Sequence, residues 1–475
     1  MSSAIVVGSG PNGLAAASRL ARAGLEVTVV EASDTIGGGT RSSEMIVAGL
    51  VHDHCSAVHP LAAGSPFLNG LNLASGGLRW LQPEVDCAHP LDNGSAGVFY
   101  RSIERTAEVL GSDGRRWRRV FEPMASHFDA LFADASQPVL RVPRHPLTLA
   151  RFGAGAMLPA TTLAWMWKTE EAKALWAGVA AHAFSRLDRP MTSAVGLMLI
   201  VAAHAQGWVV AEGGSQAIAD ALAVDIERHG GRIETGVRVT SVADLPPSDV
   251  LMLDVSPSIA ADILGDRLPD RVARSYRRFR HGPGAFKVDF AVEGGVPWTA
   301  PLARHAGTVH LGGNLDEVVA TEDAVCRGAM PERPFVLVGQ QYLSDATRSV
   351  GNIHPLWTYA HVPNAYTGDA TEAITAQIER FAPGFRERII GTAVRSTTEM
   401  SAYNPNYVGG DIIGGASSLK QLVFRPRFAV DPYFTGIAGT YLCSASTPPG
   451  AGAHGMCGAN AAARALARLR ADAVR

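Results

Sequence analysis

The stretch VVGSGPNGLAAASRL, residues 6–20, decides the fold of this chain. Ala4 to Gly8 is a short apolar run, Leu14 to Ala23 is rich in alanine, and Leu25 to Glu31 is again rich in strand-forming residues. This order predicts a strand, a glycine turn, a helix and a second strand. The chain is therefore predicted to begin with a βαβ unit.

The three glycines of the turn have distinct uses in a dinucleotide site. Gly8 permits the tight turn, Gly10 lets the backbone approach a pyrophosphate, and Gly13 lets the helix pack closely on the strand. The N-terminus of the helix then faces the phosphates. Glu31 ends the second strand, where a carboxylate accepts hydrogen bonds from ribose hydroxyls. Together these residues predict a dinucleotide site.

A second glycine-rich loop, ASDTIGGGTRS, follows at residues 32–42 and contains Arg41. A flexible backbone and a positive side chain at this place are suited to closing over the same pyrophosphate. The alternative is a surface turn with a solvated arginine. A purely NAD-binding domain does not ordinarily carry this second loop.

The βαβ unit, Glu31 and the GGGTR sequence resemble the FAD-binding fold shared by flavin amine oxidases and phytoene desaturases. Further segments are similar to the phytoene-dehydrogenase-related oxidoreductases, in the branch of pyridine nucleotide-disulphide oxidoreductase domain-containing protein 2. They are HDHCSAVHP (52–60), GGSQAIADAL (213–222), GPGAFKVDFAV (282–292), AGTVHLGG (306–313), HVP (361–363) and STPPGAGAHGMCGANAA (446–462). The resemblance implies non-covalent FAD as the cofactor and an α/β fold.

The resemblance also implies roles for residues beyond the first turn. Val239 is expected to pack by its backbone against the adenine end of FAD, and Gly455 and Met456 to open a helix toward the isoalloxazine ring. The predicted cofactor-binding residues are Gly8, Gly10, Pro11, Asn12, Gly13, Glu31, Ala32, Gly38, Gly39, Thr40, Arg41, Val239, Ser446, Gly455 and Met456.

Two residues are candidates for a catalytic role. Lys287 lies within an apolar strand, in a setting that resembles the strand whose lysine holds a water at flavin N5 in flavin amine oxidases; the alternative is a lysine that reaches solvent from a strand end. His454 lies in the C-terminal turn, where it is placed to line the substrate side or bond a flavin carbonyl, and the alternative is a structural histidine.

Composition excludes several classes of protein. The 475 residues are 47% hydrophobic and 18% charged, which is typical of a globular chain. Lys and Arg number 42 against 44 acidic residues, so nucleic acid is not expected as a partner. The five scattered cysteines favour a reducing compartment, and no metal site is predicted from their spacing.

The expected architecture is a discontinuous Rossmann-type FAD domain, residues 1–70, 210–280 and 415–475, with an interleaved α+β substrate domain, residues 71–209 and 281–414. The substrate domain is expected to hold an antiparallel sheet and a helical cap. With a strand predicted from Ala4 and no long apolar run, a cytoplasmic location is expected, and peripheral contact with a membrane stays open.

The predicted function is oxidation of a hydrophobic small molecule, of the desaturase or dehydrogenase type, with hydride transfer to flavin N5 and an unidentified electron acceptor. One alternative is a flavin-dependent isomerase of the carotenoid isomerase type. Another is a regulatory or interaction protein that binds FAD without turnover. The substrate and the oligomeric state do not follow from the sequence.

Overall fold

A computed structural model describes residues 2–473. Over this range the strands are β1 (Ser3–Val7), β2 (Glu26–Val30), β3 (Ser42–Glu44), β4 (Val51–Asp53), β5 (Trp80–Leu81), β6 (Val85–Pro90), β7 (Ala96–Phe99), β8 (Val210–Ala211), β9 (Arg232–Glu234), β10 (Val250–Leu253), β11 (Gly284–Glu293), β12 (Ala306–Leu311), β13 (Val336–Gly339), β14 (Ile353–Val362), β15 (Ile389–Arg395) and β16 (Thr440–Leu442).

The α-helices of the same range connect and cover these strands. They are α1 (Pro11–Arg22), α2 (Pro60–Ala63), α3 (Pro66–Asn69), α4 (Ile103–Val109), α5 (Gly114–Ala125), α6 (Phe128–Ala135), α7 (Pro146–Ala156), α8 (Ala160–Ala164), α9 (Glu170–Ala180), α10 (Ser193–Gln206), α11 (Gln216–Arg228), α12 (Pro257–Leu264), α13 (Asp270–Arg277), α14 (Leu315–Cys326), α15 (Thr371–Phe381), α16 (Thr397–Tyr403), α17 (Leu419–Val423) and α18 (Met456–Ala473).

A five-stranded parallel sheet, in the order β16-β10-β1-β2-β9, forms the nucleotide-binding half of the molecule. Its strands come from three separate stretches of the chain. Helices α1, α11 and α18 cover one face through a core that includes Leu14, Leu20, Leu222 and Ala461. Because β1 and β10 are neighbours, the chain following each strand reaches the same edge of the sheet, and this edge is where ligands bind in open α/β folds.

The second sheet has seven strands, in the order β15-β11-β14-β13-β12-β6-β7. Its pairs are antiparallel except for β12 with β6, which run parallel. The long strands β11 and β14 pair along their whole length, from Gly284 opposite Val362 to Glu293 opposite Ile353. Helices α4 to α10 form a layer beside this sheet, with a core that contains Trp117, Phe121 and Trp176.

The predicted α/β class, with a Rossmann-type unit, an antiparallel-containing sheet and a helical cap, is confirmed. The sequence pattern predicts helices over residues 216–228 and 371–381, and α11 and α15 have these bounds. The alternating pattern of residues 232–242 predicts strand, yet β9 ends at Glu234. Residues 235–241 instead run as irregular chain in which Val237 N–H donates to the carbonyl of Glu31 at 2.8 Å.

The division of the chain into two domains at the stated boundaries stays a prediction. Within residues 2–473, no helix combines the length and the apolar character that crossing a bilayer requires.

Candidate functional site

A single cavity of about 800 Å³ extends between the two sheets and the helical layer. One end, which we call the glycine end, is lined by residues 7–12, 30–33 and 38–41. The other, which we call the apolar end, lies under the helical layer. It is lined by Phe132, Leu149, Phe152, Ala156, Met191, Val195, Met198, Leu199, Trp208, Leu337, Trp357 and Tyr359. The cavity is in the size range of sites for small molecules and cofactors.

The first glycine turn is packed too tightly for side chains. A Cβ atom on Gly13 would meet the carbonyl oxygen of Gly8 at 2.1 Å, and one on Gly10 would meet Asp254 Oδ2 at 2.8 Å. Helix α1 begins at Pro11 with Gly10 as its N-cap, so the N-cap residue has no side chain of its own, and the Gly13 N–H donates to Asp254 Oδ2. Asn12 Oδ1, beside this helix end, is buried without a hydrogen-bond partner. Gly10, Pro11 and Asn12 line the cavity, so the first residues of the helix face it, where an anion would meet the positive end of the helix dipole.

Glu31 lies at the glycine end of the cavity and is buried. Its Oε2 accepts hydrogen bonds from Ser9 N–H (2.9 Å) and Ser9 Oγ (2.6 Å), and its Oε1 from Ser33 N–H (2.9 Å). Burial opposes the charge, but the hydrogen bonds from Ser9 and Ser33 and the charge of Arg41 keep the pKa of Glu31 below its ordinary value. Glu31 is thus a preorganised anion, and Gly8, Gly10, Pro11, Asn12 and Ala32 line the cavity beside it.

The second glycine loop packs directly against the first turn, where the Gly37 N–H donates to the Ser9 carbonyl at 2.9 Å. Gly38, Gly39, Thr40 and Arg41 all line the cavity. A Cβ on Gly39 would meet Tyr407 Oη at 2.1 Å, so the loop is in close contact with the adjacent wall. The Arg41 guanidinium lies 3.2 Å from Glu31 Oε1, and it also donates to the Thr35 carbonyl. Arg41 is therefore held on the carboxylate that the sequence assigned to the ribose.

Asp254 is a site residue that sequence reasoning missed. It follows β10 directly, and its Oδ2 accepts the Gly13 N–H at 2.8 Å. Burial, together with the charge of Glu31, raises the pKa of Asp254 to about 7. Its position in the sequence could have identified it, because it is a carboxylate directly after an apolar strand, at the edge of the sheet where parallel strands end.

The C-terminal turn closes the cavity near its middle. His454 and Ser446 line the cavity, whereas Gly455 and Met456 are not on its wall. A Cβ on Gly455 would meet the Ala15 side chain at 2.8 Å, so this glycine allows the turn to pack on α1. His454 Nδ1 accepts the Met456 N–H at 3.1 Å, at the start of α18. Burial lowers the pKa of His454 to about 4, so the ring is neutral near pH 7.

Val239 lines the cavity at the glycine end, in the irregular chain after β9. Gly13, in contrast, lies behind the turn and is not on the cavity wall. The structure thus gathers most of the predicted cofactor residues on one continuous surface, and leaves Gly13, Gly455 and Met456 as packing and backbone positions close to it.

Lys287 is buried in β11 and does not line the cavity. Its Nζ bonds to Asp289, and it lies 5.8 Å from the ring centre of Trp357, which is on the cavity wall. Burial lowers the pKa of Lys287, while the charge of Lys287 keeps the pKa of Asp289 low against the effect of burial. The lysine is therefore paired one layer behind the wall, and its catalytic role stays a prediction.

The residues present fit a flavin dinucleotide. The glycine end supplies a helix N-terminus that faces the cavity, an ionised carboxylate and a close-approaching backbone, which match a pyrophosphate and a ribose. Asn12 Oδ1 is a buried polar atom that lacks a partner on the described chain. The cavity continues past this end to His454 and the apolar wall, which leaves room for a further ring system.

Sequence comparisons agree with this geometry. Residues 6–67 match the family described as the NAD(P)-binding Rossmann-like domain. Pyridine nucleotide-disulfide oxidoreductase domain-containing protein 2 of Rattus norvegicus is 24% identical over 97% of this chain and 92% of its own length. Hydroxyneurosporene desaturase of Cereibacter sphaeroides is 28% identical over 63% of this chain and 65% of its own length.

Solved structures share the fold. An oxidoreductase from Methanosarcina mazei covers 98% of this chain and 100% of its own, with a TM-score of 0.62 and 15% identity. Putrescine oxidase bound to putrescine covers 98% and 99%, with a TM-score of 0.60 and 17% identity. A fatty acid isomerase from P. acnes covers 98% of each chain, with a TM-score of 0.57 and 16% identity.

The predicted resemblance, the enzyme class and FAD as the cofactor are confirmed by these relatives together. The chain is thus similar in sequence to an oxidoreductase domain-containing protein and a desaturase, and it shares its fold with amine oxidases.

Proposed function

We propose that this chain oxidises a hydrophobic organic molecule, with FAD held along the glycine end of the cavity and the substrate in the apolar end. The observation that carries the proposal is the continuity of the cavity, whose wall changes from glycine and charged residues to aliphatic and aromatic ones. FAD held there would supply the redox chemistry of such a reaction as a two-electron acceptor, with N5 as the atom that would take a hydride.

The glycine end is suited to hold the adenosine diphosphate part of the cofactor. Glu31 would accept hydrogen bonds from the ribose, and the backbone from Gly8 to Asn12 would contact the pyrophosphate at the end of α1. Val239 is proposed to pack against the adenine. Arg41 keeps Glu31 oriented through their ion pair.

The C-terminal turn is suited to shape the electrostatic environment of the isoalloxazine ring. The N-terminus of α18 carries partial positive charge, which stabilises negative charge nearby. His454 holds this helix end by accepting the Met456 N–H, and its low pKa keeps it uncharged. His454 is thus proposed to position the turn, since a ring that is neutral and already an acceptor at Nδ1 is a poor base at this atom.

The apolar end is suited to an apolar substrate because aliphatic and aromatic side chains make up most of its wall. Arg141, which also lines the cavity, is paired with Asp134. Trp357 and Tyr359 lie next to each other on β14, with rings 5.0 Å apart at 88°. Such a wall stabilises an apolar ligand by about 25 cal/mol for each Å² removed from water. It also excludes water from the reacting atoms, which a reaction that removes a hydride requires.

Anaerobic reduction of the purified flavoprotein tests the proposal. We expect bleaching of the flavin absorbance by members of an apolar series, such as isoprenoid alcohols and fatty acyl compounds, and by any lipid that co-purifies. Small polar amines and hydroxy acids serve as the matched series. Reduction by polar compounds alone would contradict the proposed apolar substrate.

A second candidate function is isomerisation of a double bond in an apolar molecule. The shared fold with a fatty acid isomerase and the apolar cavity favour it. The two reactions differ in electron balance: oxidation consumes one equivalent of acceptor per product, whereas isomerisation consumes none. Measuring acceptor reduction against product formed therefore separates them.

A further inference from the structure

A chain of three hydrogen-bonding side chains runs from the apolar end of the cavity into the seven-stranded sheet. His182 lies in the short turn Ala181–Ala183 after α9 and lines the cavity. Its Nε2 is 3.0 Å from Nε2 of His310, and His310 Nδ1 is 3.4 Å from Sγ of Cys87. His310 lies on β12 and Cys87 on the neighbouring strand β6. The sheet therefore holds the His182 ring from behind.

Packing also constrains the orientation of this chain. A Cβ on Gly178 of α9 would meet His89 Nδ1 at 2.5 Å and His310 Nδ1 at 2.9 Å, so a glycine is needed where the helix crosses these rings. The indole of Trp208 lies edge-on to His182, with ring centres 6.2 Å apart. The His182 ring is thus set by packing as well as by the hydrogen bond to His310.

The tautomers along the chain follow from neutrality. Burial lowers the pKa of His182 to about 3, with a further contribution from His361, and burial also lowers the pKa of His310. Burial raises the pKa of the Cys87 thiol, so its S–H is retained. Two acceptors are within its reach, the Ala88 carbonyl at 3.9 Å and His310 Nδ1 at 3.4 Å, and we assign the hydrogen bond to the shorter contact, with His310. A neutral imidazole carries one hydrogen. His310 therefore donates from Nε2 to His182 Nε2, and the hydrogen of His182 is on Nδ1.

His182 Nδ1 makes no hydrogen bond to residues 2–473 and retains accessible surface, so on this wall residue it is open to the cavity. The adjacent Trp208 N–H is already used, because it donates to Thr308 Oγ1 at 2.8 Å. A donor placed in an apolar wall without a partner costs about 1–3 kcal/mol once water is displaced. A ligand that fills this end therefore binds best when it brings an acceptor to His182.

We propose that the Nδ1–H of His182 is a substrate-binding contact that recognises an acceptor oxygen, a carbonyl or a hydroxyl, on an otherwise apolar molecule. This inference rests on the proposed function, since it concerns the substrate end of the same cavity. A neutral donor favours a neutral oxygen over a carboxylate, because a carboxylate buried without a cation bears the full cost of desolvation. His310 and Cys87 act as positioning residues.

Binding of two matched probes to the FAD-loaded protein tests the inference. The probes are octan-2-one, which offers one acceptor, and octane, which offers none, and the quantity is the ratio of the octane Kd to the octan-2-one Kd. His182→Gln keeps an amide at the position of Nε2 and removes the group at Nδ1, whereas His182→Asn places an amide at the position of Nδ1. We expect the ratio to fall about fivefold to tenfold in the Gln variant, as the loss of one neutral hydrogen bond implies, and to stay near wild type in the Asn variant.

Met198→Leu is the control, since Met198 lines the same end and offers no hydrogen-bond donor. It should change both affinities alike and leave the ratio unchanged. An unchanged ratio in His182→Gln, with both probes still bound, would overturn the role of His182 but leave the apolar site standing. Failure of both probes to bind would overturn both. Imidazole ¹⁵N shifts of the wild-type protein give a check without variants: we expect a protonated Nδ1 on His182, and the opposite tautomer would overturn the inference.

Discussion

The two ends of the cavity recognise ligands by different means. At the glycine end, backbone geometry and one ionised carboxylate do the work: Gly13 tolerates no side chain, and Glu31 accepts several hydrogen bonds. At the apolar end, side-chain volume shapes the wall, and His182 offers a hydrogen-bond donor to the cavity. Substitutions at one end should therefore affect cofactor binding and leave substrate binding intact, or the reverse.

The largest effect is expected at the first turn. Gly13→Ala places a Cβ 2.1 Å from the Gly8 carbonyl oxygen, so the turn must open. We expect the purified variant to carry no measurable FAD by absorbance. Gly153→Ala, in α7 at the apolar end, is the matched control because nothing lies within 4 Å of its added Cβ. A Gly13→Ala protein with full flavin content would contradict the claim that the first glycine turn determines cofactor binding.

Substitution of Lys287 tests whether the buried Lys287–Asp289 pair behind the cavity wall has a structural role. Lys287→Met leaves Asp289 buried without its cation, which should lower the free energy of unfolding by about 3–5 kcal/mol. The double variant Lys287→Met/Asp289→Leu should recover much of this loss in chemical denaturation. If Lys287 also acts in catalysis, the stable double variant will still reduce its flavin more slowly than wild type.

Glu31→Ala tests how much the carboxylate at the glycine end contributes to FAD binding. Loss of a charged acceptor should raise the Kd for FAD about tenfold to a hundredfold, measured by titrating the apoprotein. Glu31→Gln keeps the shape of the side chain, and its Kd for FAD should lie between those of Glu31→Ala and wild type. Octane affinity should not change in either protein, and unaltered FAD binding in Glu31→Ala would contradict its ribose role.

Asp254 predicts a pH dependence of the apoprotein. The pKa of Asp254 is about 7 in the folded chain, whereas an aspartate in the unfolded chain has its ordinary value of 3.8. The folded state therefore retains the proton more strongly than the unfolded state does. The stability contributed by this group is present at low pH and is lost as pH rises from about 4 to about 7, with a slope of up to about 1.4 kcal/mol per pH unit. Denaturation of wild type and Asp254→Asn across this range isolates the effect; parallel curves would contradict it.

The smallest effect on ligand affinity is expected from shortening one aliphatic side chain at the apolar end. Leu199 lines this end and is partly buried, so Leu199→Ala removes contacts from any apolar ligand there. The Kd for octane should rise about threefold to tenfold, since each buried CH₂ contributes about 0.8 kcal/mol at most. The Kd for FAD should be unchanged, and a parallel loss of FAD would show that the two ends are coupled.

The cofactor end was largely predictable from sequence because its signals are local. Gly8, Gly10 and Glu31 lie within one βαβ unit, and their spacing carries the geometry. Asp254 was missed because it approaches the turn from more than 200 residues away, through the pairing of β1 with β10. His182 and Lys287 show the same limit: whether each faces the cavity depends on packing between distant strands and helices.

A crystal structure of the protein reconstituted with FAD tests the central claim most directly. We predict density for the dinucleotide that runs from Glu31, past the N-terminus of α1, to the turn at His454, with the apolar end left free beyond it. Flavin density located elsewhere, or a dinucleotide that does not contact Glu31 and the N-terminus of α1, would contradict the account.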